Sequence, residues 1–460
     1  MQTQCNPIQM EFAEVERRRV VAAFDGGTVS SDGGALLLTR TDEAIGLIDR
    51  LAGCFRDRRA PALVEHAVRT LVGQRVFGIA AGYEDLNDHD ELRKDPLWGA
   101  LMGKLTAKRR DCQALAGKST LNRLEWAKAN GTTRYQRIEV DAPAIEALFV
   151  TLFLESYAKA PEEIVLDLDA TDDPLHGGQE GRFFHGYYDH YCYLPLYIFC
   201  GRHLLCAKLR PANIDGAAGA KEEVTRIVEQ IRARWPETRI ILRADSGFAR
   251  EGLMAWCEGN GVDYVFGLAR TRRLERWLHP TLERVAEQAA LRRQAASDLL
   301  ERSYRTLTSW SCARRVVGKA EVTTLGSNPR FVVTSLSVQA WDARALYEDL
   351  YCARGEMENR IKEAQLELFA DRTSTHLFRA NQLRLWFSSF AYTLIEALRR
   401  LGLAQTQFAR AGANRIRLCL LKIGAVITVS VRRVKVALSS ACPWQEEFLT
   451  AFESVSAAAR

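Results

Sequence analysis

The spacing of apolar positions indicates a mainly helical N-terminal region. From Asp42 to about Ala160 the apolar residues recur with a helical period. Residues 1–40 instead predict short strands, and the Asp-Gly pairs that begin at Asp25 and Asp32 are typical of tight turns. The clearest helical patterns are 62–82 and 142–160, and the expected strands lie around 20–24 and 35–38.

From residue 161 the pattern changes to that of strands. Three strands follow one another without a helix, which favours an antiparallel meander. A helix, a strand, a second helix and a further strand come next, so the order is βββαβαβ, the layout of an RNase H-like domain. The expected strands are 164–169, 193–200, 204–209, 239–244 and 262–267, and the helices are 220–235 and 251–260.

A long helical pattern runs from Trp341 to Phe369. Within it, Tyr351, Arg354, Glu358 and Lys362 are spaced by three, four and four residues, which places them on one side of a helix. This polar ridge has two interpretations: a solvated face laced by salt bridges, or a surface that holds a metal ion and a polyanion together.

Two aspartates upstream favour the second interpretation. Asp169 and Asp245 each close a predicted strand, and neighbouring strands would bring their carboxylates close enough to share a divalent cation. Glu358 would supply a third carboxylate, a set that suits Mg²⁺ or Mn²⁺, with two ions serving a displacement at phosphorus. Asp167 lies on the same strand face and is the alternative ligand, while Asp172 and Asp173 are expected to cap the following turn.

Composition narrows the class of protein. At 460 residues the chain can form two or three domains. It has no run of 18 apolar residues and no basic-then-apolar signal pattern at its start, so we expect no membrane segment and a cytoplasmic location. Eleven cysteines without a CxxC pair indicate reduced thiols, and His185 and His190 are not expected to bind zinc.

Charge is unevenly distributed along the chain. Residues 371–460 contain thirteen Lys and Arg against five Asp and Glu, and residues 267–321 contain twelve against six. Two basic regions on either side of the 341–369 helix suit a polyanion such as DNA. Solvated helix faces would explain each region equally well.

These motifs resemble those of the DDE transposases of bacterial insertion sequences, in the branch whose acidic helix carries the pattern Y-x2-R-x3-E-x6-K. Tyr351, Arg354 and Glu358 match the pattern, whereas Gln365 stands at the position of its lysine, a role that Lys362 could cover. Asp169-Ala170-Thr171 and Asp245-Ser246-Gly247 are similar to the first two acidic motifs, and residues 172–193 are similar to the subgroup related in layout to piggyBac elements.

The resemblance implies a DNA transposase. Asp169, Asp245 and Glu358 would bind Mg²⁺ and catalyse cleavage at the transposon ends and transfer of the 3′-hydroxyl into target DNA. Arg354 and Lys362 would contact DNA phosphates. The alternatives are an RNase H-like nuclease and an inactive, transposase-derived DNA-binding protein. Tyr351 could also contact DNA or simply face the core, and Trp310 could stack on a base or belong to a core.

The expected fold is an α/β, RNase H-like mixed sheet with a β-rich insertion between the second aspartate and the glutamate, flanked by mainly helical terminal regions. The expected partners are the terminal inverted repeats and the target, both double-stranded DNA, and a second copy of the chain, because two ends must be held together. The expected location is the bacterial cytoplasm at the nucleoid. The predicted regions are 1–160, possibly DNA-binding; 161–270, the first part of the catalytic core; 271–340, the insertion; 341–379, the acidic helix; and 380–460, for end binding or dimerisation.

Overall fold

The structure is a computed structural model, and it describes residues 8–130, 133 and 135–459. Residues 1–7, 131, 132 and 134 of the predicted N-terminal region, and residue 460, lie outside the described residues. The strands are β1 Met10–Val15, β2 Arg18–Ala22, β3 Val29–Ser30, β4 Phe55–Asp57, β5 Ile138–Val140, β6 Glu163–Ala170, β7 Asp173–Pro174, β8 Phe183–His185, β9 His190–Tyr193, β10 Leu196–Cys200, β11 His203–Lys208, β12 Arg239–Ala244, β13 Asp263–Gly267, β14 Ala296–Tyr304, β15 Arg314–Thr323, β16 Gly326–Ser327, β17 Arg330–Thr334, β18 Ala425–Val429 and β19 Val434–Leu438.

Helices occupy much of the remaining chain. They are α1 Leu36–Ile45, α2 Leu47–Gly53, α3 Val68–Ala80, α4 His89–Leu92, α5 Pro96–Leu101, α6 Lys118–Glu125, α7 Ala142–Glu155, α8 Ala220–Arg234, α9 Glu251–Gly259, α10 Arg272–Arg292, α11 Ala343–Ala345, α12 Gly355–Lys362, α13 Phe378–Leu401, α14 Ala413–Ile416 and α15 Gln445–Ala458. Short 3₁₀ turns are Gly33–Ala35, Pro61–Leu63, Leu86–Asp88, Ser246–Phe248 and Cys352–Arg354, and π-helical turns are Leu346–Tyr351, Glu363–Glu367 and Arg417–Leu421.

A large mixed sheet organises the second of two compact units, which comprises residues 53–56 and 125–393. Its strands lie in the order β11-β10-β6-β12-β13-β17-β15-β14, with β16 paired to β15. Strand β10 is antiparallel to β6 and β11, whereas β12 is parallel to both β6 and β13. The predicted βββαβαβ order is therefore confirmed, and so is the RNase H-like mixed α/β fold.

The region expected to be a β-rich insertion has two parts. Strands β14, β15 and β17 confirm its β character, and they extend the central sheet, because β17 pairs antiparallel with β13 and with β15. The region begins, however, with the 21-residue helix α10, which the sequence analysis did not predict and which contains Pro280. The predicted β-rich insertion thus contains a long helix in addition to its strands.

The two faces of the sheet are covered by different elements. One face packs against helices α7 to α10 through a large apolar core that includes Phe153, Leu166 and Ile227. The opposite face carries a smaller core in which Ile241 packs with Leu350 of the π-helical turn after α11. Since successive strand residues alternate between faces, Asp167 and Asp169 share this second face.

The predicted 341–369 helix is present from Ala343 to Glu367 but is irregular. It passes from α11 through a π-helical turn and a 3₁₀ turn into α12, and it ends in a second π-helical turn. Each change of helical type rotates the side chains that follow relative to an ideal α-helix. The acidic residue Glu358 lies in the regular part, α12.

The first compact unit comprises residues up to 52, 57–124 and those from 394 onwards. The predicted regions 1–160 and 380–460 therefore do not coincide with compact units, because both termini contribute to this unit while α7 packs on the sheet of the other. Residues 35–38, expected to form a strand, are helical.

Asp32 was expected to form a turn, but its carboxylate is buried and is bound by several side chains. Its carboxylate accepts hydrogen bonds from Tyr83 Oη at 2.8 Å and Trp98 Nε1 at 2.9 Å, and it pairs with Lys422 Nζ at 2.7 Å. Only 1% of Asp32 is exposed, so these partners replace water as its hydrogen-bond donors.

Candidate active site

Asp169 and Asp245 lie on neighbouring parallel strands. In the β6–β12 pairing Leu168 is opposite Ala244, so each aspartate comes one residue after this last pair. Asp169 Oδ1 accepts a hydrogen bond from Ala170 N at 3.0 Å, and Asp245 Oδ1 accepts one from Gly247 N at 2.8 Å. The condition stated from the sequence, that the two strands are neighbours, is therefore met.

Glu358 joins the two aspartates at the wall of one cavity of about 720 Å³. Arg354 links the acidic helix to the sheet within this cavity. Its Nη2 donates to Glu358 Oε1 at 2.8 Å, and its Nη1 lies 3.8 Å from Asp169 Oδ2. Lys362, Gln365, Arg250, Tyr187 and Tyr188 also line the cavity. Three distant carboxylates thus meet beside two cations of the same helix.

Burial and neighbouring charges perturb Asp169. Burial, together with the nearby carboxylates of Asp245 and Glu358, raises its pKa to about 7, against the lowering effect of Arg354. A carboxyl in this position is costly to ionise without a positive partner. The cavity therefore favours cations, and Arg354 is the cation that the structure places there.

The lining of the cavity includes a set of oxygen donors for a divalent metal ion. Three carboxylates offer only oxygen ligands, which Mg²⁺ prefers, so the chemistry of the residues fits. Within residues 8–130, 133 and 135–459, however, no three His, Cys, Asp or Glu side chains are grouped closely enough to ligate one ion. Arg354 pairs with both Asp169 and Glu358, so a metal site there requires that its guanidinium release them.

Asp167, the alternative ligand, has a structural partner instead. Arg243 on β12 binds it through two hydrogen bonds, Nε to Oδ1 at 2.5 Å and Nη2 to Oδ2 at 2.8 Å. The third guanidinium nitrogen donates to the carbonyl oxygen of Leu350 at 2.6 Å, which ties the acidic helix to the sheet. Sequence reasoning missed Arg243, although a signal existed: Asp167 and Arg243 each stand two residues before an acidic strand end.

A family model described as "Transposase DDE domain group 1" matches residues 12–460. The chain belongs to this transposase family. The predicted function is thereby confirmed: the protein is a DNA transposase, and metal-dependent DNA cleavage and strand transfer are its activities.

Other comparisons add less. The chain is similar to a solved "piggyBac transposase synaptic complex with hairpin DNA", with 10% identity, a TM-score of 0.41, and coverage of 84% of this chain and 79% of that one. No curated protein matches the sequence. The family assignment therefore rests on the family model alone.

Tyr351 of the transposase lies beneath the loop of Asp245 and is absent from the residues that line the cavity. A Cβ atom placed on Gly267 would lie 2.6 Å from the Tyr351 hydroxyl and 2.9 Å from Ser246 N. The glycine thus lets the tyrosine approach the backbone next to Asp245. Contact between Tyr351 and DNA stays a prediction.

Gln365 stands at the position of the motif's lysine, and its side-chain amide nitrogen donates two hydrogen bonds. Its Nε2 donates to the carbonyl oxygen of Asp172 at 3.1 Å and to Asp173 Oδ1 at 2.8 Å. Asp173 is completely buried, and burial raises its pKa well above the ordinary value for an aspartate. A neutral amide suits a neutral carboxyl here, whereas a lysine would favour the ionised form.

Trp310 lies away from this cavity. Its ring is 5% exposed, packs edge-on against Tyr304 with a centroid distance of 5.7 Å, and is covered by the Arg314 guanidinium. The predicted stacking on a base is not supported, because a buried ring offers no free face.

Among the described residues, no helix of the transposase is long and apolar enough to cross a bilayer.

Proposed function

We propose that Asp169, Asp245 and Glu358 are the catalytic carboxylates of this transposase. The observation that carries the proposal is their convergence, from two neighbouring strands and a helix more than a hundred residues downstream, on one cavity. A pair of Mg²⁺ or Mn²⁺ ions held by these residues would supply charge stabilisation and an activated oxygen nucleophile for displacement at phosphorus.

The chain's own residues prepare the site for DNA. Arg354 pairs with Asp169 and Glu358 and compensates the charge of the largely buried Asp169 carboxylate before a substrate enters. A DNA phosphate can then accept two hydrogen bonds from the Arg354 guanidinium. Lys362 offers a point charge at the exposed wall of the same cavity. Arg354 is thus placed to exchange a carboxylate for a phosphate.

The transposase acts on its terminal inverted repeats and on target DNA, both double-stranded, and it works as a homodimer because two ends must be joined to one target. Its place is the bacterial cytoplasm, at the nucleoid. The basic residues 371–460 suit contact with DNA phosphates.

The test compares two neighbouring glutamates of α12. Glu358→Gln should lower the cleavage of end-containing DNA by on the order of 10³-fold, since a metal ligand contributes several kcal/mol at about 1.4 kcal/mol per tenfold. Glu356→Gln changes an exposed carboxylate that does not line the cavity and should leave cleavage unchanged. Binding of the DNA, measured without metal, should be retained in both variants.

Three results would contradict the proposal. Equal cleavage by the two variants would remove Glu358 from catalysis. Cleavage by the parent protein that ignores the terminal repeats would favour an RNase H-like nuclease. Binding of the ends without any cleavage in Mg²⁺ or Mn²⁺ would identify an inactive DNA-binding descendant.

A further inference from the structure

A β-hairpin in the first compact unit is formed by β18 and β19. Its ladder runs from Ala425 opposite Leu438 to Val429 opposite Val434. Ser430 and Arg433 close the turn, through Ser430 N to Arg433 O at 2.9 Å and Arg433 N to Ser430 Oγ at 3.2 Å. Both ends of the hairpin are therefore fixed by hydrogen bonds.

Only the base of this hairpin is held by a third strand. Strand β3 pairs with β18 at Ala425 and Val426, and Ile427 N adds one hydrogen bond to Thr28 O at 2.8 Å. From Ile427 to the turn residue Val431 the ribbon continues for roughly 13 Å at about 3.3 Å per residue. Val431 is fully exposed at the tip.

The hairpin has a packed face and an open face. On β18 the side chains of Ala425 and Ile427 are buried, whereas Val426 and Thr428 are exposed. Lys435 is opposite Thr428 and is likewise exposed. The alternation means that packing fixes the ribbon through one side and leaves the other side and the tip to solvent.

The charge around this hairpin is one-sided. Residues 397–445 contain nine Lys and Arg and no Asp or Glu. Several of the nine have partners elsewhere in the first unit: Lys422 pairs with Asp32, and Arg417 Nε donates to Ala80 O at 3.0 Å.

The cations of the hairpin are not compensated in this way. Arg432, Arg433 and Lys435 are exposed, and no carboxylate of the described chain lies within ion-pair distance of them. Three unpaired cations at the end of one narrow ribbon form a concentrated positive site, and such sites bind polyanions.

We propose that the β18–β19 hairpin binds double-stranded DNA by entering its major groove. This inference rests on the proposed function, which supplies DNA as the partner. The B-form major groove is about 12 Å wide and admits a two-stranded ribbon, whereas the minor groove is about 6 Å wide. Arg432, Arg433 and Lys435 contact the phosphates that border the groove, and Val431 leads at the tip.

The shape of the hairpin decides against other polyanions. The major groove of A-form RNA is deep and narrow, so a ribbon cannot enter it. Anchoring to a lipid surface requires an extended apolar area, and the exposed valines of the hairpin, Val426, Val429 and Val431, are separated by the exposed polar residues Thr428 and Ser430. Duplex DNA is the partner that fits both the charge and the width.

The experiment measures binding of a 30-bp duplex of mixed sequence in EDTA, so that cleavage does not contribute. The variant R432Q/R433Q/K435Q removes the three cations. The matched control R17Q/R18Q/R19Q removes three arginines from the exposed β1–β2 ribbon, where Arg18 and Arg19 are paired with Glu16 and Glu11. Circular dichroism and thermal unfolding verify that both variants fold.

The salt dependence of binding gives the expected result. Loss of three phosphate contacts lowers the slope of log K against log salt by about 2.7 and the affinity at 0.1 M salt by on the order of 10²-fold. The control variant should keep the parent slope. An equal loss of affinity in both variants would mean that net charge alone causes the effect, and it would overturn the proposal. An unchanged slope in the hairpin variant would also overturn it.

Groove and partner are tested with the same proteins. Methyl green, which occupies the major groove, should abolish the difference in DNA affinity between the parent protein and the hairpin variant. Netropsin, which occupies the minor groove, should leave that difference unchanged. The reverse pattern overturns the proposal. Hairpin-dependent binding to phosphatidylglycerol vesicles without any to DNA also overturns it. The active-site assignment fails separately, through cleavage by Glu358→Gln at the parent rate.

Discussion

Removal of Arg243 should destabilise the transposase far more than removal of Arg239 from the same strand. The two arginines pair across the same two strands, Arg243 with Asp167 and Arg239 with Glu163. The Arg243 pair is buried and its guanidinium also binds Leu350 O, whereas the Arg239 side chain is 54% exposed. The two variants therefore compare a buried ion pair with an exposed one, with the residue type and the strand kept the same.

The expected magnitudes differ severalfold. Arg243→Met leaves Asp167 buried without a counter-ion, a loss of about 3–5 kcal/mol in the free energy of unfolding. Arg239→Met breaks two exposed ion pairs, with Glu163 and with Asp263, which contribute about 0–1 kcal/mol each. The double variant Asp167→Leu/Arg243→Met removes both charges, so it should be more stable than Arg243→Met alone.

Urea unfolding of the parent and the three variants, followed by tryptophan fluorescence, measures these differences. Cleavage by the double variant then separates stability from positioning, since its acidic helix still lacks the hydrogen bond at Leu350 O. We expect a folded protein with reduced cleavage. Equal losses for Arg243→Met and Arg239→Met, or a double variant no more stable than Arg243→Met, would refute the reasoning about burial.

Three further predictions concern other parts of the chain. Burial raises the pKa of Asp42 from 3.8 to about 6, so Asp42→Asn should stabilise the protein by about 1–3 kcal/mol at pH 7, with the gain disappearing as pH falls from 6 to 4, in unfolding measured across pH. Gln365→Lys should lower the pKa of the buried Asp173 carboxyl. The midpoint of thermal unfolding of the variant, relative to that of the parent protein, should therefore be higher at pH 8 than at pH 5. Gly267→Ala should cost about 1–3 kcal/mol by overlap with the Tyr351 hydroxyl, measured by urea unfolding.

Matched substitutions give the controls. Asp49→Asn changes an aspartate whose side chain is 68% exposed and should show no comparable gain at pH 7. Gly252→Ala places a Cβ in open space within α9 and should stabilise the helix by roughly 0.5–1 kcal/mol. A Gly267→Ala variant as stable as Gly252→Ala would contradict the proposed close approach.

Local sequence patterns were sufficient to predict the strands that carry Asp169 and Asp245 at their ends. The strand Arg239–Ala244 was predicted with the observed bounds, because four buried positions of that segment are apolar and Asp245 follows at once. The positions of Asp169 and Asp245 followed from where those strands end. Their side-by-side placement depended on the strand order, which local patterns do not encode.

Other features depended on contacts between distant parts of the sequence. Gly33 and Gly34 were interpreted as turn residues, but a Cβ on Gly34 would lie 1.8 Å from Leu420 O, so they serve close packing within the first unit. Helix α10 was missed because Pro280 normally interrupts a helix, and here the helix continues through it. Arg354 was expected to face DNA, and the structure adds its pairing with Asp169.

The order in which the acids occur along the chain has a consequence for biosynthesis. Asp169 and Asp245 leave the ribosome well before Glu358, which follows the extra strands β14 to β17. At about 5–20 residues per second, the 189 residues between the first and last acid take roughly 10–40 s to translate. Under the proposed assignment of Glu358, a nascent chain lacks its third catalytic acid for that time, and ribosomes stalled before Glu358 emerges should carry chains that do not cleave DNA.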